Sequence, residues 1–304
     1  MTWQHPPHFL VIGAGRAGTT SLHHYLSQHP QIFLPRVKAP SYWYAVGVPD
    51  AMASTLPASF VRDAAEYDAL FANSSPGHVR GEVSPVYLAS TAVAQRVAAT
   101  LPAIRIVVML RHPVDRVYAR WVARRRDGLE PTATFEALIA QERDQPLIRP
   151  DAHATYLAGG MVSHVLRSWY DAIPADQRLV LWFDDFARDS AASMRTVCRF
   201  LGVDDTVPLD TSRSHNRSGG RIRNPMVRAV WSASYPLRRS VRPLVPQALR
   251  DRVFQLATSQ VDRLPLADET RAQLTDLYRD EILALANLTG RDLSSWLALP
   301  ARAV

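Results

Sequence analysis

Cysteine occurs once, at Cys198, which excludes an internal disulfide and any multi-cysteine zinc site and leaves nothing that demands an oxidising compartment. Lysine is as scarce: of 35 basic residues only Lys38 is a lysine, so arginine carries almost all of the positive charge. Acidic side chains are missing before Asp50. No apolar run approaches the roughly 18 residues of a membrane span, and the opening MTWQHPPHF lacks the basic and apolar segments of a secretory signal. A cytoplasmic location is therefore expected. Neither an HExxH motif nor a carboxylate-histidine array is present, the histidines being scattered as His5, His8, His23, His24 and His29, so no metal site is expected. The absence of a GxSxG elbow removes serine-hydrolase chemistry.

What is present is globular. Hydrophobic residues at 47% and charged residues at 21% of 304 are enough for a sizeable core and leave no stretch polar enough for wholesale disorder. One domain over 1–304 is expected, with no internal repeat. The net charge of +7 favours an anionic partner, whether nucleotide, sulfated substrate, acidic glycan, membrane surface or nucleic acid. Three strand-to-helix units recur. His8 to Gly13 is a short apolar run that breaks at glycines and leads to helical spacing over Thr19 to Gln28; Ile104 to Leu110 leads to Val114, Val117, Trp121 and Val122 at helical intervals. Leu179 to Phe183 leads to a helix over Ala187 to Leu201 with Met194, Val197, Cys198 and Leu201 inward and Gly202 as its stop. Further helices are predicted over Tyr87 to Thr100, Gly160 to Tyr170 and Asp268 to Leu288, with surface connections near 49–60 and 144–151. Alternating strands and helices imply an α/β fold with a mostly parallel sheet flanked by helices.

The string GAGRAGTTS from Gly13 to Ser21 follows the first strand and opens the first helix. Successive backbone N–H groups and the helix dipole then point at one place, which suits a phosphate-like anion. The letters also satisfy GxGxxG, yet no acidic residue stands about 20 positions downstream to hold a dinucleotide ribose; only Arg36 could serve an NADP reading. They approach a Walker A loop as well, with Thr19 in place of its lysine and the cation three residues earlier, at Arg16. Asp184-Asp185 and Asp204-Asp205 are neighbours whose side chains point apart, so caps and turns explain them.

GAGRAGTTSL, followed by HPQIFLPRVK, resembles the 5′-phosphosulfate loop of sulfotransferases that use 3′-phosphoadenosine-5′-phosphosulfate (PAPS), in the carbohydrate and bacterial branch related to heparan sulfate sulfotransferases. The resemblance implies a P-loop-like nucleotide-binding fold in which Arg16, Ala17, Gly18, Thr19, Thr20 and Ser21 cradle the phosphosulfate, with Arg16 in the place of the usual lysine. VVMLRHPVDRVYARW is similar to the family's 3′-phosphate segment, which assigns that phosphate to Arg111. GEVSPVY, from Gly81 to Tyr87, looks like the block lining the acceptor side, and SHNRSGGR is placed like a late cofactor loop, which brings in Arg217 and Arg221. LVLWFDDFARD, VCRFLGVD and GRDLSSW look like structural landmarks of the same family. The likeness runs from about His8 to Trp296 and is weak near 45–78, 125–155 and 225–265.

Two departures touch the chemistry. Where the family has a glutamate base after the lysine, this chain has Ala39, and where a serine shares the 3′-phosphate it has Ala119. The resemblance thus implies sulfuryl transfer from PAPS, leaving 3′,5′-ADP, to a hydroxyl or amine of a carbohydrate or small molecule, with anionic and lipid-linked acceptors among the candidates. Arg16 is the candidate for stabilising the leaving oxygen, because a guanidinium stays protonated and cannot act as base. Glu82 is the first candidate base, with loop-holding as its equal alternative; Lys38 is a candidate for orienting acceptor or cofactor, or for acting as base if burial depresses its pKa, against the plainer reading of a solvated loop lysine. A phenolic acceptor would ease the want of a base. Two other readings stay open: a non-catalytic nucleotide- or glycan-binding relative, and an NADP-linked oxidoreductase. Arginines crowd the stretch from Arg221 to Arg252, with Trp231 and Tyr235 among them, so 221–265 is read as a solvated helical face, a basic lid over an anionic or lipid-linked acceptor, or a nucleic-acid surface.

Overall fold

The apolar run that opens the chain becomes the middle strand of a parallel sheet. In a computed structural model, residues 3–147, 155–212, 221–222, 225–234, 245, 261–262 and 266–298 are described. They fall into two units, Met1–Arg111 with Val162–Asn216, and His112–Met161 with Arg217–Val304.

The first unit holds β1 (Phe9–Gly13), α1 (Thr19–Leu26), β2 (Ile32–Phe33), α2 (Tyr42–Ala45), α3 (Ala64–Ala69), β3 (Val79–Val83), α4 (Thr91–Thr100) and β4 (Arg105–Leu110). Its five-stranded sheet runs β2-β3-β1-β4-β5, where β5 spans Arg178–Trp182, and every pairing within it is parallel. β1 is buried at every position and β4 at every position after Arg105, which is why both read as unbroken apolar runs rather than alternating ones. The chain leaves β1 for one side of the sheet and returns to β4 on the other. The loops after β1 and β4 therefore sit at the point where strand order reverses, beyond the strands' carboxyl ends, where open α/β sheets bind ligands.

Sequence and structure differ where a local feature overrides periodicity. β3 carries Glu82 within the strand. Phe183 opens a helix instead of ending β5, and the helix predicted over Ala187 to Leu201 is two, Phe183–Arg188 and Ser190–Leu201, because Asp189 accepts from the Ala192 N–H and starts a new helix. Its inward set is buried as expected and Gly202 ends it with φ +75. Tyr87 lies in a 3-10 turn over Pro85–Ala89 ahead of α4, and the helix expected from Gly160 begins at Ser163.

In the second unit, α5 (Pro113–Arg126) starts on His112, whose Nδ1 accepts from the Val114 N–H at 3.2 Å. Val114, Val117, Trp121 and Val122 are buried. Asp115 in its first turn and Arg124 to Arg126 in its last complement the helix dipole, and Arg271 reaches Asp115 at 2.6 Å. α6 (Phe135–Glu142) ends in a carboxylate that accepts from the N–H groups of Tyr156 and Leu157. The helix predicted over Asp268 to Leu288 is broken at Tyr278, whose hydroxyl donates to the Leu157 carbonyl at 2.8 Å. Of the stretch 221–265, a two-residue pairing of Arg221–Ile222 with Val261–Asp262 and the helix Pro225–Ala233 are described; the greater part of the expected lid lies outside the described residues. Among the described residues no helix is long and apolar enough to cross a membrane.

Candidate active site

The glycine loop is shaped by the neighbouring segments at the carboxyl ends of the strands. The Ala14 N–H donates to the Met109 carbonyl at 2.7 Å, which pins the loop to β4 as it leaves β1. Gly13 has φ +148 and a Cβ there would lie 2.7 Å from Leu88 Cβ; Gly18, at φ +94, would meet Met109 Sδ and Phe183 Cδ2 at 3.2 Å. Packing and backbone conformation require both glycines. Gly15 is different, because it is exposed and a Cβ on it would meet nothing within 4 Å. The fold itself does not need that glycine, and its place is understood if a ligand approaches the backbone closely. Gly18→Ala is accordingly expected to lower stability by about 1–3 kcal/mol, whereas Gly15→Ala should leave the denaturation midpoint within about 0.5 kcal/mol of the parent and weaken anion binding. Equal loss of stability in the two variants, read by urea unfolding, would contradict this division.

α1 begins at Thr19 with no side-chain cap and no acidic residue in its first turn, an arrangement compatible with an anion at its amides. Arg16 stands at φ 67, a left-handed conformation uncommon outside glycine, and its carbonyl accepts from Arg111 Nη1 at 2.9 Å. The Arg111 guanidinium lies 4.3 Å above the centre of the Phe183 ring, whose edge packs against Gly18. Arg111 thus braces the loop from the end of β4. Lys38 also reaches the loop, its Nζ donating to Thr20 Oγ1 at 3.0 Å. Of the expected cradle, Arg16, Gly18 and Thr20 are accessible, while Ala17, Thr19 and Ser21 are buried and can offer backbone groups rather than side chains.

Glu82 is placed differently from the expected base. It is 1% exposed, and both carboxylate oxygens accept from neighbouring hydroxyls: Oε1 from Tyr67 and Tyr87 at 2.6 Å, Oε2 from Ser84 at 2.5 Å. Burial pushes its pKa up, opposed by those hydrogen bonds. Closed in by donors on both oxygens, it has the geometry of an anchor. Ala119 is buried on α5 and contributes only a methyl group; Arg217 and the side chain of Arg221 lie outside the described residues.

Two participants have no clear signal in the sequence. Phe183 reads as the end of a strand, and only the fold turns it beneath Arg111. His23, three residues after Thr20 on α1, is buried, and its Nδ1 finds no hydrogen-bond partner among the described residues. Burial, then the charge of Lys38 and then His24 hold its pKa down to about 3. The unfolded imidazole titrates near 6.5, so between those values the unfolded chain binds the extra proton and stability falls as pH drops. The slope from this group approaches about 1.4 kcal/mol per pH unit. In His23→Gln the unfolding free energy should fall less steeply between pH 6.5 and 4.5 than in the parent; identical slopes in denaturant titrations would remove His23 as a cause.

The parallel sheet, the glycine loop at its reversal point and Arg111 bonded to that loop form a P-loop-like α/β arrangement. Comparison with known proteins carries the class further. A model of the Sulfotransferase family matches residues 45–207, more than half of the sequence, and the chain belongs to that family. The match begins after the glycine loop. Over 96% of its length the chain is 28% identical to the human bifunctional heparan sulfate N-deacetylase/N-sulfotransferase 2, and 26% identical to the mouse bifunctional heparan sulfate N-deacetylase/N-sulfotransferase 1, spanning 31% of each relative. The chain thus spans about a third of the length of the curated relatives it matches. A sulfotransferase crystal structure from Alicyclobacillus acidocaldarius aligns at a TM-score of 0.72 and 25% identity, covering 96% of this chain and 99% of that one.

Proposed function

We propose that this sulfotransferase takes its sulfuryl group from PAPS and transfers it to a hydroxyl or amine of a carbohydrate or small molecule, releasing 3′,5′-ADP. The observation that carries the donor assignment is the loop itself: an exposed Gly15 that packing does not require, followed by an arginine whose carbonyl is held by Arg111 and then by a threonine hydroxyl held by Lys38. These residues suit a phosphosulfate. The loop amides and Thr20 bind its non-bridging oxygens, and Arg16 stabilises the charge that builds on the oxygen bridging sulfur and phosphorus as that bond breaks. Arg111, with a planar fork of donors, suits the ribose 3′-phosphate.

The acceptor completes the exchange by forming a bond to sulfur and losing one proton. Ala39 removes the usual carboxylate base, and Glu82 is enclosed by hydroxyls. An amine eases this constraint, since a neutral amine already carries its attacking lone pair and sheds its proton after the bond has formed. The relatives named for N-sulfotransfer to heparan sulfate support a glycan amine as the first acceptor to try. The coverage of the solved Alicyclobacillus sulfotransferase supports reading both units as parts of one domain over 1–304. The single buried Cys198 supports a cytoplasmic location.

The same lack of a base favours one second reading, a nucleotide- or glycan-binding relative without turnover. Calorimetric titration with 3′,5′-ADP, followed by sulfate transfer from labelled PAPS to an N-desulfated glycosaminoglycan, a phenol and a simple alcohol, separates them. Tight 3′,5′-ADP binding with label on the amine supports the proposal. Binding without transfer to any acceptor favours the second reading, and no binding overturns both.

A further inference from the structure

We propose that Glu82 is a positioning residue that sets Lys38 against the donor loop through a relay of three hydroxyl groups. The inference rests on the reading of that loop as the donor site. Glu82 lies on β3, next to β1, and the hydroxyls of Tyr67, Tyr87 and Ser84 surround its carboxylate. Each hydroxyl is in turn an acceptor for the segment that follows Lys38. Ser84 Oγ accepts from the Ser41 N–H at 3.1 Å, Tyr87 from the Trp43 N–H at 3.3 Å, and Tyr67 from Trp43 Nε1 at 3.2 Å. Three donors of residues 41–43 therefore reach one buried carboxylate, each through a single oxygen.

The segment needs such a fixture. Ala39 and Ser41 both adopt left-handed backbone angles, φ 54 and φ 55, without being glycine, at a cost of about 1–2 kcal/mol each. A peptide with those angles persists only where its surroundings hold it. Ser41 is 1% exposed and Trp43 2%, so the anchored end is immobile while Lys38, three residues before Ser41, is half-buried and bonded to Thr20. A carboxylate suits the hub because it accepts on both oxygens; an amide must turn a donor toward one of the hydroxyls. The raised pKa from burial and the three donors that oppose it describe the same closed environment. The groups that Glu82 holds belong to Tyr67, Ser84 and Tyr87 and through them to residues 41–43, so its effect on transfer passes through Lys38.

Lys38 is the sole lysine, so lysine-selective isotope labelling yields one side-chain NMR signal that reports its setting directly. In Glu82→Gln, and more mildly in Ser84→Ala, this signal should move toward the position of a free lysine. The catalytic efficiency of Glu82→Gln should fall about 10- to 100-fold, the range expected for a misplaced group. In a Lys38→Ala background the same change should cost less than about 3-fold, since the residue acted upon is gone. A base would behave otherwise: the low-pH limb of the rate profile would vanish in Glu82→Gln, Ser84→Ala would be neutral, and the lysine signal would stay. That pattern overturns the proposal, as does an unmoved lysine signal by itself. Parent protein that neither binds 3′,5′-ADP nor turns over overturns the donor-site reading, while the lysine signal still decides whether Glu82 positions Lys38.

Discussion

Arg16→Ala should lower kcat by about 100- to 1,000-fold, the range seen when a donor aimed at developing charge is removed, while 3′,5′-ADP binds within about 10-fold of the parent. Arg16 lies in a loop held by the Ala14 N–H on the Met109 carbonyl, by Arg111 on the Arg16 carbonyl and by Lys38 on the Thr20 hydroxyl. Truncation leaves those contacts in place, so the cradle survives and the charge is lost. In the product 3′,5′-ADP the former bridging oxygen is one of three oxygens sharing the charge of the 5′-phosphate, which the loop amides also bind, so affinity depends less on this one guanidinium than the bond-breaking step does. The effect therefore falls on the transition state rather than on ground-state binding. Single-turnover transfer from labelled PAPS, set beside calorimetry with 3′,5′-ADP, checks it. A variant in which affinity and turnover fall together would make Arg16 a ground-state contact. Arg16→Lys should recover much of the rate, because the role asks for a positive charge near one oxygen and not for a planar fork.

Much of the frame behind this expectation is legible in the amino-acid order. β1 and β4 are buried on both faces, which forces continuous apolar runs, and such runs followed by helical spacing can be recognised without coordinates. The loop is legible for the same reason, since three glycines and a hydroxyl cluster at a strand-to-helix junction have few other uses. What escapes is whatever depends on distant partners. Glu82 reads equally as base or anchor in the sequence, where nothing signals that Tyr67, fifteen residues away, donates to it. β2, at the sheet edge, is two residues long and too short for a periodic signal. Helix breaks are missed where a cap interrupts an otherwise continuous pattern, as at Asp189. The assignment of Phe183 fails by one residue, and that residue supports Arg111.

Arg111→Ala should produce two losses where the sequence motif alone predicts one. The first is discrimination: the parent should prefer 3′,5′-ADP to adenosine 5′-phosphate, and the variant should lose about 10- to 100-fold of that preference, the equivalent of one or two charged hydrogen bonds. The second follows from the brace. Arg111 Nη1 holds the Arg16 carbonyl at 2.9 Å while the guanidinium rests on Phe183, so its removal frees a residue kept at φ 67. Arg16 then samples orientations away from the leaving oxygen, and kcat falls as well, by roughly 10-fold or more for a displacement near 1 Å. Arg111→Lys separates the two. A lysine keeps a point charge for the phosphate but cannot present parallel donors to a phosphate and a carbonyl while stacked on a ring. It should therefore restore part of the 3′-phosphate preference and little of the rate. Equal weakening for nucleotides with and without the 3′-phosphate would remove Arg111 from phosphate recognition, and full recovery of kcat in the lysine variant would show that the brace on Arg16 does not govern transfer.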